Sequence, residues 1–173
     1  MARASLSREG IEVHRFSWLV SIAVPLFALF LQASVPLRFP SFAIFDLPLL
    51  VTIFFAVARR NQIVGTVTGC VIGLAQDSLT HQPIGLFGIA KTFVGYAASS
   101  IGVRIDVENP GSRLIMTFAF YLLHGAIYQV VARSMAQLPV EWNWGSALGA
   151  AFANAFLAVI LFFLLDRFKQ RAR

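Results

Sequence analysis

The stretch "GTVTGCVIGLAQD", residues 65–77, places three glycines four positions apart and then puts a carboxylate at the next step of the same spacing. Residues four apart lie one above another on a helix, so Gly65, Gly69, Gly73 and Asp77 form a groove without side chains that ends in one charge. Membrane helices gain no hydrophobic driving force from packing together, and small residues that let two backbones approach closely are a principal means of holding them together. The stretch therefore predicts a helix whose glycine face lies against another backbone.

The whole chain has the composition of a membrane protein. Of its 173 residues, 58% are hydrophobic and 13% are charged, whereas a soluble domain is about half apolar and about a quarter charged. Its mean hydropathy is +0.74. The net charge of +6 does not indicate nucleic-acid binding, because the basic residues flank apolar segments. The lone Cys70 leaves no cysteine partner for a disulfide or a cysteine metal site.

Six apolar segments approach the length of about 20 residues that crosses the hydrocarbon core of a bilayer. They lie near residues 16–35, 42–58, 62–79, 85–103, 112–132 and 145–165, each bounded by Pro, Gly or charge. We interpret the first as an uncleaved anchor, because Leu31 stands where a signal-peptide cleavage site needs a small residue. The sequence predicts an all-α membrane protein, a bundle of six transmembrane helices that forms one integral membrane domain over residues 1–173.

The distribution of basic residues predicts that both termini lie in the cytoplasm. Cytoplasmic loops carry an excess of Lys and Arg. With this orientation, Arg38 and Arg133 lie outside and Lys91 lies within a segment. The inner side then holds the other 11 of the 14 basic residues: Arg3, Arg8, Arg15, Arg59, Arg60, Arg104, Arg113, Arg167, Lys169, Arg171 and Arg173.

Two other segments carry small residues at helical spacing. Gly145, Gly149 and Ala153 repeat the pattern on the sixth segment, which favours that segment as an internal partner of the third. A further stripe on the fourth segment consists of Gly88, Lys91, Gly95, Ser99 and Gly102. For the glycines of the third segment two interpretations remain open: packing within the same bundle, or an interface with a second protein.

Ionisable side chains also fall within the predicted spans. Asp46, Asp77 and Lys91 lie in the outer half and His124 lies near mid-membrane. Such groups are disfavoured by about 2.5–3.5 kcal/mol each on insertion scales, so they mark a function or a specific pair. Because side chains lean towards the N-terminus of their own helix, Asp77 leans inward and Lys91 outward on antiparallel neighbours, which favours a pair between them. The alternatives are Asp46 for Lys91 or Arg133 for Asp77.

Other polar residues of the spans are best interpreted as hydrogen-bonding groups between helices. His124 has no second His or Cys nearby to complete a metal site, so a bundle residue is favoured over a metal ligand. Asn154 and Gln129 have the same interpretation.

Catalytic motifs are absent from the sequence. It contains no HExxH zinc helix, no Gly-x-Ser-x-Gly elbow and no Walker loop, and its three histidines fall on different segments. Neither Asp46 nor Asp77 has the Gly-x-Gly-Asp context of membrane aspartyl proteases. We therefore expect a protein that is not an enzyme and binds no cofactor.

Three stretches carry a resemblance to a known family. The chain resembles the rod shape-determining protein MreD family in its predicted six spans and in "PSFAIFDLPLLV" (40–51), "GTVTGCVIGLAQDSL" (65–79) and "PIGLFGIAKTFVGY" (83–96). This resemblance implies a non-enzymatic subunit of the bacterial inner membrane within the cell-elongation machinery. It further implies binding to MreC, action with RodA and a class B penicillin-binding protein, and an indirect link to MreB in directing side-wall peptidoglycan synthesis.

The same resemblance implies an alternative function. The MreD fold is similar to the substrate-binding subunits of energy-coupling-factor vitamin transporters, in which a small-residue stripe docks a coupling subunit and an outer pocket binds a vitamin. Such a pocket needs convergent polar and aromatic groups, usually with loops that close over it. The predicted outer loops are short and offer few polar groups, which favours the scaffold. With either function, we also expect the protein to contact membrane lipid.

Overall fold

The structure, a computed structural model, describes residues 16–102, 109–139 and 141–168. Within these ranges the chain is helical and has no strand. Its elements are α1 (Trp18–Ser34), a 3-10 helix (Pro40–Ile44), α2 (Leu47–Arg59), α3 (Gln62–Leu79), α4 (Leu86–Ile101), α5 (Pro110–Ser134) and α6 (Trp144–Asp166). The prediction of an all-α protein is confirmed. The predicted second segment is divided, because its first residues form the 3-10 helix and α2 begins only after Asp46.

Three helical stretches among the described residues are long and apolar enough to cross a membrane: Pro40–Arg59, Pro110–Ser134 and Trp144–Asp166. Helices α1 and α4 are apolar but have only 17 and 16 residues. That is roughly 24–26 Å of helix against about 30 Å of hydrocarbon. Helix α3 has 18 residues, and its end carries Gln76 and Asp77. These lengths support a membrane protein, and the arrangement of six spans stays a prediction.

Several residues that predict the orientation lie outside the described ranges, as does the predicted end of the fourth segment at residue 103. The basic residues concerned are Arg3, Arg8, Arg15, Arg104, Lys169, Arg171 and Arg173. The cytoplasmic position of both termini therefore stays a prediction.

Helix α2 lies at the centre of the bundle. Every residue from Leu47 to Ala58 is buried, and the helix contacts α1, α3, α4, α5 and α6. A helix that is apolar on all sides needs apolar surroundings, and for α2 the other helices of the bundle provide them. Asp46 caps its start by accepting a hydrogen bond from the Leu49 N–H, and Arg60 ends it in a left-handed conformation (φ 52°). The central position of α2 brings the Asp46 end of the helix among the other five helices.

Helices α3 and α4 form the closest helix pair of the bundle. A Cβ atom placed on Gly69 would lie less than 3 Å from the main chain of Lys91, and one on Gly73 would lie 2.7 Å from the Gly88 Cα. Only residues without a side chain permit this approach. The expectation that the sixth segment is the partner of the glycine stripe is wrong: the stripe of the fourth segment occupies that face.

Helix α6 packs mainly against α5. Phe118 and Phe152 contact each other across the pair with ring centroids 4.7 Å apart, and Arg113 forms an ion pair with Asp166 at one end. Gly145 and Gly149 are exposed, and a Cβ on Gly149 would meet no atom within 4 Å. A side chain added at either glycine of α6 would therefore meet no other helix of the described bundle within 4 Å of its Cβ atom.

Candidate functional site: a buried polar cluster

Asp46 and Lys91 form an ion pair inside the bundle. The Lys91 ammonium donates a hydrogen bond to Asp46 Oδ2 at 2.6 Å, and its side chain is fully buried, while 12% of the Asp46 side chain is exposed. Lys91 Nζ also lies 3.3 Å from His124 Nε2 and 4.9 Å from the centre of the Phe87 ring. The ammonium thus has a carboxylate, an imidazole nitrogen and an aromatic face around it, which together replace the water lost on burial.

The main chain around Asp46 is held by amide side chains of two other helices. Asn154 of α6 accepts a hydrogen bond from the Asp46 N–H at 2.9 Å and donates to the Ile44 carbonyl at 2.8 Å. Gln32 of α1 accepts from the Leu47 N–H at 3.1 Å. These bonds satisfy main-chain groups where the 3-10 helix passes into α2. They also fix the direction from which the Asp46 carboxylate approaches Lys91.

Asp77 has a different role from the one expected of it. Its Oδ2 accepts hydrogen bonds from the N–H groups of Gly85 and Gly88, at 2.9 and 3.1 Å, and its Oδ1 accepts one from Phe87 at 3.0 Å. Gly85, the residue at the N-cap of α4, has no side chain that could accept hydrogen bonds from the first N–H groups of the helix. The carboxylate of Asp77 accepts them instead, and its negative charge complements the positive end of the helix dipole. The carboxylate at the end of the glycine stripe therefore caps the neighbouring helix.

The predicted ion pair between Asp77 and Lys91 is wrong. Both oxygens of Asp77 accept from main-chain N–H groups of α4, and the carboxylate bound to Lys91 is that of Asp46, the alternative partner. His124, expected near mid-membrane as a hydrogen-bonding residue, lies in the same cluster as Lys91. Asn154 bonds between helices as expected. Among the described residues, no group of three or more His, Cys, Asp or Glu side chains could hold a metal ion.

A cavity of about 280 Å³ borders the cluster. It lies where α1 and α3 end and α2 and α4 begin, against the second half of α5. Its lining consists of Gln32, Ala43, Phe45, Asp46, Gln76, Phe87, Tyr121, His124, Gly125 and Tyr128. Sequence reasoning missed most of these residues, although Gln32 and Gln76 carry a detectable signal: each is an amide within a predicted membrane span.

The described residues thus define a helical membrane protein whose intramembrane charges are compensated within its own bundle. A family model, the rod shape-determining protein MreD, matches residues 13–172 of the chain. The chain belongs to this family, as its three resembling stretches indicated. No curated protein and no solved structure matches it. Membership supports a role in determining rod cell shape.

Proposed function

We propose that this protein is a non-enzymatic, multi-pass subunit of the bacterial inner membrane that binds MreC and helps direct side-wall peptidoglycan synthesis. It acts with RodA and a class B penicillin-binding protein, and indirectly with MreB filaments. The observation that carries the proposal is the family match over residues 13–172, nearly the whole chain. The match also favours this function over the alternative of vitamin uptake.

The topology belonging to this proposal has six spans and both termini in the cytoplasm. Its support is the excess of basic residues on one side of short connections. In a Cys70→Ala background, single cysteines at Ser41, Gln82 and Gln137 should react with a thiol reagent that cannot cross the membrane. A cysteine at Asn109 should stay unlabelled until the cells are opened. Labelling at Asn109 in intact cells would contradict the topology.

We place the interface with MreC on α6. The glycine stripe of α3 lies against α4, so it is not accessible to a second protein without separating the two helices. Gly145 and Gly149 are exposed, and Phe152 and Phe156 beside them are 52% and 63% exposed. The small residues let the backbone of a partner transmembrane helix approach α6 closely, and the exposed aromatic rings beside them add a large contact area.

The experiment is co-purification of tagged MreC with Gly149→Leu in mild detergent. The leucine should weaken the complex by about 1 kcal/mol, or roughly fivefold in affinity, because it holds apart two backbones that glycine lets into contact. The folded yield should be unchanged, since a Cβ atom at this position would meet no atom within 4 Å. Ala119→Leu, an exposed small residue on α5, is the matched control. Normal recovery of MreC with Gly149→Leu would remove α6 as the interface.

A further inference from the structure

The cavity beside the ion pair is built from groups that recognise a ligand. We propose that it is a binding site for a small, uncharged, planar molecule that carries hydrogen-bond donors. The volume of about 280 Å³ is close to the lower end of ligand pockets, roughly 300 Å³, and is ample for a single substituted ring. This site is additional to the proposed role in cell elongation and concerns a different surface from the α6 interface.

The need for a donor comes from Gln76. This residue lines the cavity and is 3% exposed, yet its Oε1 has no hydrogen-bond partner among the described residues. A buried acceptor left without a partner is destabilising by about 1–3 kcal/mol, so such groups are rare in native proteins. Asp46 supplies a second acceptor on the same wall, because its side chain is partly exposed. A ligand with two N–H or O–H groups satisfies both.

The planar shape follows from the aromatic side chains of the lining. Phe87 stacks on His124 with ring centroids 5.8 Å apart and an angle of 2° between the planes, and it stacks on Tyr128 at 4.9 Å. Phe45 and Tyr121 complete the aromatic lining. Phe87 is thus already in contact with His124, Tyr128 and the Lys91 ammonium, so Phe45 and Tyr121 are the lining rings available to contact a flat ligand. The Tyr128 hydroxyl adds a group that can donate to a carbonyl of the ligand.

We expect an uncharged ligand because the charges of the polar cluster already neutralise each other. Asp46 borders the cavity and Lys91 lies behind it, and the two already compensate each other at 2.6 Å. A charged ligand would be buried without a counter-ion, which is strongly disfavoured inside a protein. The site therefore discriminates against both anions and cations of the same shape.

The test uses benzamide, benzoate and benzamidinium, three planar probes of nearly equal size that are neutral, negative and positive. Binding to the full chain in lipid nanodiscs is measured by saturation-transfer NMR, with empty nanodiscs as the background. Benzamide should bind saturably and at least about tenfold more tightly than either ion. Equal binding of the three probes, or no saturable binding of benzamide, would overturn the proposal.

Two variants locate the binding. Ala43→Trp adds an indole at the exposed rim of the cavity and should abolish benzamide binding, whereas Ser41→Trp, exposed on the same 3-10 helix but outside the lining, should leave it unchanged. Gln76→Leu should bind benzamide about fivefold more weakly. It should also raise the unfolding temperature, because an unpartnered buried acceptor is removed. Benzamide binding that survives Ala43→Trp, or that is unaffected by Gln76→Leu, would show that the cavity is not the site.

Discussion

Replacing Lys91 by methionine tests whether the Asp46 carboxylate depends on this one ammonium. The substitution keeps a long flexible side chain in place and removes only the charge and its hydrogen bonds. Lys91 is fully buried, and after its loss the Asp46 carboxylate keeps the hydrogen bond from the Leu49 N–H at 3.0 Å and has His124 Nε2 at 3.9 Å. Removing one partner of a buried pair is destabilising by about 3–5 kcal/mol. Because 12% of the Asp46 side chain is exposed, we expect the lower value, about 3 kcal/mol.

The second substitution, Asp46→Asn, completes a double-mutant cycle. Asparagine is as good an N-cap as aspartate, so the start of α2 keeps its hydrogen bond while the negative charge disappears. With neither charge present, no buried ion is left uncompensated. The double variant should therefore be more stable than the sum of the single losses predicts, by about 2 kcal/mol.

The assay is the free energy of unfolding in mixed micelles, obtained by titration with SDS for the wild type, both single variants and the double variant. A matched cycle of Lys91→Met with Asp77→Asn is the control. It should show a clearly smaller coupling, because Asp77 bonds to main-chain N–H groups of α4 rather than to Lys91. Additive losses in the Asp46 cycle, with no rescue in the double variant, would refute the pairing.

Two further variants probe the α3–α4 contact. Gly69→Leu should lower the monodisperse fraction in size-exclusion chromatography, because its Cβ would overlap the Lys91 main chain. Gly149→Leu, the control, should behave as the wild type. Equal behaviour of the two variants would contradict the close approach of α3 and α4. Asp77→Ala should lower the free energy of unfolding by about 2 kcal/mol and speed amide hydrogen exchange at Phe87, since three N–H groups at the start of α4 lose their acceptor. Unchanged exchange at Phe87 would rule out the cap.

The sequence alone determined the helices and the class of protein. The predicted third segment, 62–79, coincides with α3, because apolar runs bounded by helix-capping residues depend on local chemistry that a linear pattern displays. The glycine spacing correctly indicated a face that needs another backbone. The isolated charges in apolar segments marked the polar cluster, since buried charges require partners.

Only the tertiary structure decided which groups meet. Both the fourth and the sixth segments carry small residues at helical spacing, and the choice of α4 for α3 depends on how the helices are arranged around α2. Asp46 and Asp77 are alike as residues, yet one binds Lys91 and the other caps α4. The difference lies in distances across the bundle and in competition from main-chain N–H groups at a helix start. The spacing of residues along the chain does not show these distances or this competition, because both arise only when helices distant in sequence pack together.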